Sequence, residues 1–423
     1  MLSVEDNERL TRVGPGTPGG AFLRRYWQPA CLSQELPEHD GPPVRVRLLG
    51  EDLLAFRNTA GAVGLVDAYC PHRRAPLFFG RNEECGLRCV YHGWKFDTKG
   101  DCVDMPSEPA DTRLQAKVKL KAYPTVERGG VVWAYLGPPE KQPAPPNYEW
   151  LRAAPTHRYV SKTFQHSNYL QALEGGLDMS HSSFLHNERL GDTTETRNRD
   201  RTPRAELEAT DYGYWYATVR RIDPERNYVR FNHFIMPHGN VFGAFTSPTG
   251  ERLNAARVDG KFWAPIDDEH THVYNWSCAY DAHTALTPED WEACEAFCGR
   301  GTDDLVDGTF RLKKNLANDY LIDRQRQKAR SFTGIEGLNT QDFALQEGMG
   351  PIVDRSQEHL GTSDRAIVLM RRLLRDNIAA VERGEDPVGV DPEASARIRA
   401  CDAILPANVA WRVALADEMS AKW

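Results

Sequence analysis

A chain of 423 residues with 40% apolar side chains has length and hydrophobicity for roughly two to four cored domains, which excludes a small stapled scaffold. Charged residues at 26%, with 33 glycines and 27 prolines, exclude wholesale disorder and fibrous repeats. A formal net charge of −8 opposes non-specific attraction to nucleic acid or an anionic membrane, so neither partner is expected.

The start of the chain, Met1 to Leu10, has neither the basic nor the apolar region of a signal peptide, and no run of about 18 uncharged apolar residues follows. A cytoplasmic protein is expected. Its nine cysteines, scattered from Cys31 to Cys401, then point to metal ligation or buried thiols before disulfides. Residues 7–30 mix short helical periodicity with a Gly/Pro loop, giving an N-terminal extension over 1–40. After Pro42-Pro43, short β-type runs at 44–49, 53–57, 63–68, 87–91 and 131–136 predict a small all-β domain over 41–142. The Pro-rich stretch 137–146 marks its end.

The remainder, 143–423, reads as a second domain of α+β class. A helix is predicted over 166–187, strands at 213–222, 228–236, 241–246 and 273–279, and helical structure after about residue 285. The last long helix has Ser363 as its N-cap and Gly384 as its stop. Its Arg371, Arg372 and Arg375 are expected on a solvated face, and Cys294 and Cys298 on a buried one.

Cys70-Pro71-His72 is followed, after 16 residues, by Cys89-Val90-Tyr91-His92. Such a match arises by chance in roughly one chain in two thousand of this composition. Cys2His2 also suits zinc, but zinc pairs usually place like ligands together, whereas each loop here carries one Cys and one His. That mixture suits a 2Fe–2S cluster with two thiolates on one iron and two imidazoles on the other. A second constellation is Glu174-x3-Asp178-x2-His181-x4-His186. On a regular helix Glu174, Asp178 and His181 share a face, while His186 lies some 140° from His181, so the helix must distort or end for both imidazoles to meet one ion.

Cys70-Pro-His-Arg73 with Cys89-Val-Tyr-His-Gly-Trp-Lys-Phe96, followed by the second constellation, resembles the bacterial Rieske non-haem iron oxygenases. One departure is Arg74, where many members have Gly. The resemblance implies a 2Fe–2S cluster on Cys70, His72, Cys89 and His92, and one ferrous ion on His181, His186 and a downstream carboxylate. By similarity this is Asp342, with Asp319, Asp354 and Asp364 as competitors and helix capping as the ordinary alternative. Asp178 is implied to link His181 to His92 of an adjacent copy. Residues 170–176 and 346–356 are similar to the branch holding phthalate 4,5-dioxygenase and dehydrodivanillate O-demethylase oxygenase components.

That branch implies an antiparallel sheet backed by helices (helix-grip, START-like), a homotrimer or stacked trimers, an NAD(P)H-dependent reductase as electron donor, and hydroxylation or O-demethylation of an aromatic carboxylate. Arg230 is then the candidate carboxylate clamp. His233 and His238 are expected to be core or surface residues rather than ligands. The competing readings are the same metal chemistry on an amine or alicycle, and an electron carrier with a docking domain.

Overall fold

A computed structural model describes residues 1–423, with the side chains of all but Ala110 and Asn254. Short alternating strands fill the first third: β1 (Trp27–Leu32), β2 (Val44–Leu48), β3 (Glu51–Arg57), β4 (Val63–Asp67), β5 (Arg81–Glu83), β6 (Gly86–Arg88), β7 (Lys95–Phe96), β8 (Cys102–Asp104), β9 (Ala122–Tyr123), β10 (Thr125–Arg128) and β11 (Val131–Tyr135). They pair as three antiparallel sheets, β1-β11-β10, β2-β3-β4-β9 and β5-β6-β7-β8. Leu54, Phe56, Val66, Leu87 and Phe96 form one core joining the last two sheets, and Cys70 and Cys89 are part of it. β1 lies in the stretch read as helix and loop; it is buried along its length and pairs with β11. Gln28 and Pro29, with an irregular register after Pro29, obscure its pattern.

The rest of the chain builds one large antiparallel sheet from β12 (Arg158–Gln165), β13 (Arg204–Ala209), β14 (Gly213–Arg221), β15 (Arg226–Ile235), β16 (Gly239–Thr246), β17 (Arg252–Pro265), β18 (Thr271–Ala279) and β19 (Cys401–Pro406). Its order is β12-β18-β17-β16-β15-β14-β13, with β19 on the first half of β15. Period-two alternation sends Val229, Phe231, Val258, Phe262 and Trp276 to one face, where they share a core with Trp133 and Trp150. The other face meets helices through Tyr214, Phe234 and Trp263 against Leu170, Leu173 and Met370.

Four expectations need correction in this part of the chain. The 166–187 segment is not one helix: β12 runs to Gln165, a helix spans Tyr169–Leu177, and a separate 3-10 turn holds His181–Ser183. Gly175 and Gly176 weaken the helix, and Asp178 ends it with an extended backbone, its carboxylate accepting from the Ser180 and His181 N–H groups. Gly176 is also needed for close approach, since a Cβ there would stand 2.2 Å from the Trp263 ring. Second, Arg371 is buried rather than solvated; Arg372 is exposed and Arg375 pairs with Asp6 at 3.1 Å. Third, Cys294 and Cys298 on the Pro288–Cys298 helix are half-buried in a cavity wall rather than sealed in a core. The last long helix, Arg365–Glu382, has Asp364 rather than Ser363 at its N-cap.

Candidate active site

Each pair in the first constellation sits on a tight loop. The Cys70 N–H donates to the Ala75 carbonyl at 2.9 Å and the Arg74 N–H to the Cys70 carbonyl at 2.8 Å. The second loop repeats this with Cys89 to Trp94 at 2.8 Å and Gly93 to Cys89 at 2.9 Å. Both loops need a left-handed residue: Gly93 has φ +81°, and Arg74 takes φ +58° where resemblance leads one to expect Gly. The Arg74 guanidinium lies over the Tyr69 ring and pairs with Asp67 at 3.2 Å, contacts that hold the less favourable backbone. The His72 and His92 rings lie 4.5 Å apart, and His72 stacks on Trp94 at 4.4 Å.

The two thiols are buried and the two imidazoles half-exposed, so the site presents its histidines outward. Burial pushes the Cys70 thiol up to about 11, so metal binding there must release its proton. Zinc and a cluster can be distinguished by spread. A single tetrahedral ion at about 2.0–2.3 Å would draw all four donors together. Among the described residues, the one group of three or more donors lying within 4.8 Å of one another is His181, His186 and Asp342. The wider Cys/His set fits a cluster spanning two irons.

The tight group has the dimensions of a facial triad. The Nε2 atoms of His181 and His186 are 3.1 Å apart, and the Asp342 Oδ1 lies 3.7 and 3.4 Å from them. The distortion that the sequence demands is thus the break after Leu177. Asp342 stands in the Leu338–Gly348 helix, one residue in from its first turn and not at its N-cap, Gly337. Burial alone would raise its carboxyl, but the charges of His186, His181 and Lys261 outweigh that and hold it well below the usual carboxylate range. Of the competitors, Asp354 and Asp364 occupy helix caps.

Several residues outside the sequence reading complete the site. The Gln341 Oε1 lies 2.8 Å from the Nδ1 of His186, while its amide donates to Glu188 and, at 2.8 Å, to the Ile335 carbonyl. Asn339 donates to the Asp342 Oδ2 at 3.1 Å and accepts from Arg300. The only signal in the sequence was that Asn339 and Gln341 flank Asp342. Asp178 stands beside His181, its Oδ1 3.9 Å from Nδ1, which is an ion-pair distance rather than a hydrogen bond. Glu174, expected on the same face, turns away to Arg355 and Arg371. His233 and His238 are core residues, bonded to Tyr212 and Gln28.

The triad opens into a cavity of about 360 Å³ between the helices and the large sheet. Trp263, Tyr216 and Phe242 give it aromatic surface, and Cys294 and Cys298 line one wall. Arg230 does reach this cavity, lying over the Phe242 ring and donating to the Gly243 carbonyl at 3.3 Å.

Comparison with known proteins finds a family match over each of the two segments. The Rieske [2Fe-2S] domain family matches residues 26–124, and the "LigXa C-terminal domain like" family matches residues 134–422. The phthalate 4,5-dioxygenase oxygenase subunit of Pseudomonas putida is 41% identical, covering 97% of this chain and 94% of its own. The 3-chlorobenzoate-3,4-dioxygenase oxygenase subunit of Comamonas testosteroni is 39% identical, covering 92% of each. Dicamba monooxygenase bound to dicamba superposes with a TM-score of 0.61 at 19% identity, covering 86% of this chain and 100% of its own, a likeness of fold. With one family match over the cluster loops and the other over the triad, the chain belongs to the Rieske non-haem iron oxygenases, as an oxygenase subunit with one 2Fe–2S cluster and one mononuclear iron that works with a separate reductase.

Proposed function

We propose that this oxygenase subunit hydroxylates or O-demethylates an aromatic carboxylate, drawing electrons from an NAD(P)H-dependent reductase in the cytoplasm. The observation that carries this reading is the placing of the His181–His186–Asp342 donors at a cavity whose wall is both aromatic and cationic. When bound, the cluster on Cys70, His72, Cys89 and His92 supplies electrons, and the ferrous ion supplies open positions for dioxygen and substrate. The protein's part is orientation. Gln341 fixes the tautomer and plane of His186, and Asn339 holds the free oxygen of Asp342, which leaves the three donors aimed at one point.

Trp263 and Phe242 offer ring surfaces to an aromatic substrate, and Arg230 is the cation that the sequence singles out for its acid group. Asp178, whose Oδ1 lies 3.9 Å from the unpartnered Nδ1 of His181, would accept from His181 and from His92 of an adjacent copy in a homotrimer, giving a short route between centres in different subunits. The relatives named for phthalate and 3-chlorobenzoate support the acid class. The test is substrate-dependent oxygen uptake with a compatible reductase, over benzoates, phthalates, methoxylated acids, and neutral alicycles and amines, followed by mass spectrometry under ¹⁸O₂. Labelled product from an aromatic acid is expected. Coupled turnover of an alicycle or amine with none of the acids would overturn the substrate class.

A further inference from the structure

Six cationic side chains line the cavity: Arg197, Arg220, Arg230, Arg257, Lys261 and Arg300. Five have at least one donor engaged by the protein. Arg197 pairs with Glu195 at 2.7 Å, Arg257 with Asp259 at 2.9 Å, and Arg300 with Glu295 at 2.6 Å. Arg220 donates to the carbonyls of Met179 and Asp200 and to Ser183. Arg230, though its Nε is unpartnered, donates to Gly243 and lies on Phe242. Lys261 is different. Among the described residues its ammonium has neither a hydrogen-bond partner nor an ion pair.

The register explains why. Lys261 stands on β17 directly between Asn240 of β16 and Asn275 of β18, in a polar row that faces the cavity. Asn240 spends its amide on the Tyr216 hydroxyl and the His233 carbonyl, and the Asn275 oxygen is taken by Arg300. Lys261 is half-buried and lines the cavity, so its ammonium is partly desolvated with no protein group to replace the lost water. Burial accordingly lowers the Lys261 pKa, with Asp342 offsetting part of the effect. Nor would a bound metal ion supply the missing anion, since a divalent ion held by the single carboxylate of Asp342 is itself a net positive neighbour.

We propose that Lys261 is the specificity-determining cation that receives the acidic group of the substrate in the cavity beside the His181–His186–Asp342 donors. Its partner arrives with the ligand, which explains an ammonium left without one by the fold. The inference rests on the aromatic-acid reading, and it moves the main anionic contact from Arg230, whose donors are partly spent, to Lys261.

The test uses the iron-replete protein and calorimetric titration with benzoate, phthalate and the neutral isostere benzamide. Lys261→Met keeps the length and removes the charge. It is expected to weaken benzoate about tenfold or more, because a charge-assisted hydrogen bond is lost, while benzamide stays within about twofold. Lys261→Arg should restore most of the benzoate affinity. Iron content and the visible spectrum of the cluster should match the wild type, and the urea midpoint of Lys261→Met should be equal or higher. Unchanged benzoate binding in Lys261→Met, equal loss of benzoate and benzamide, or loss of folding would overturn the proposal. Loss of benzoate in Arg230→Met with Lys261→Met silent would overturn it while leaving the aromatic-acid reading intact. A wild type that binds benzamide but none of the acids would overturn both.

Discussion

Gln341 stands behind His186 with its Oε1 2.8 Å from Nδ1, so on the proposed reading it sets which nitrogen carries the proton and which would face the iron. Gln341→Leu should therefore lower ferrous affinity by about 10–100-fold, read by equilibrium dialysis, with the cluster's visible spectrum unchanged. An unaltered affinity would show that packing alone orients the ring. At this scale the sequence was legible where chemistry restricts the residue type: Cys70, His72, Cys89 and His92 announce themselves by identity and spacing. Gln341 and Asn339 did not, because amides are common at surfaces and only the folded chain brings them onto His186 and Asp342. Lys261 was hidden for the same reason.

The Tyr169–Leu177 helix is fixed by a buried ion network rather than by apolar packing alone. Glu174 accepts from Arg355 at 2.9–3.2 Å and from Arg371 at 2.7 Å, and Arg371 also grips Glu358. Removing Glu174 leaves two buried guanidinium groups short of an anion, so Glu174→Leu should destabilise the fold by about 3–5 kcal/mol in urea unfolding. Burial would raise the Glu174 pKa, but Arg355 and Arg371 outweigh it and depress the value below the ordinary 4.5. The sign follows: the stability from this group is present above pH 4.5 and is lost as pH falls through the lower folded value. The stability difference between wild type and Glu174→Gln should shrink with acidification below pH 4.5, and a constant difference would contradict the network's role. The same elements explain what was misread. Arg371 repeats like a surface charge along its helix, while its partner Glu174 lies 197 residues away and Glu358 stands outside the helix. β17 received no strand prediction because Arg257, Asp259 and Lys261 alternate onto a cavity rather than into a core. The apolar alternation of β14, β15 and β18 made those strands legible.

Across the whole molecule, the division of labour follows from where each donor set sits. The thiolates belong to the core of the small sheets and present the histidines outward, whereas the triad lies at the cavity between the helices and the large sheet. Order along the chain was readable, since the cluster loops precede the triad and the Pro-rich stretch 137–146 falls between them. Which strands enclose the cavity was not, because that depends on register. Among the described residues no helix is long and apolar enough to cross a membrane.

Two separable iron centres in one chain are the central claim, and metal and acid-labile sulfide analysis of the wild type beside His181→Ala tests it most directly. The account predicts about three iron and two sulfide per chain, falling to about two iron and two sulfide in His181→Ala with the cluster's spectrum retained and product formation abolished. One zinc without sulfide in the wild type, or loss of sulfide together with iron in the variant, would contradict it.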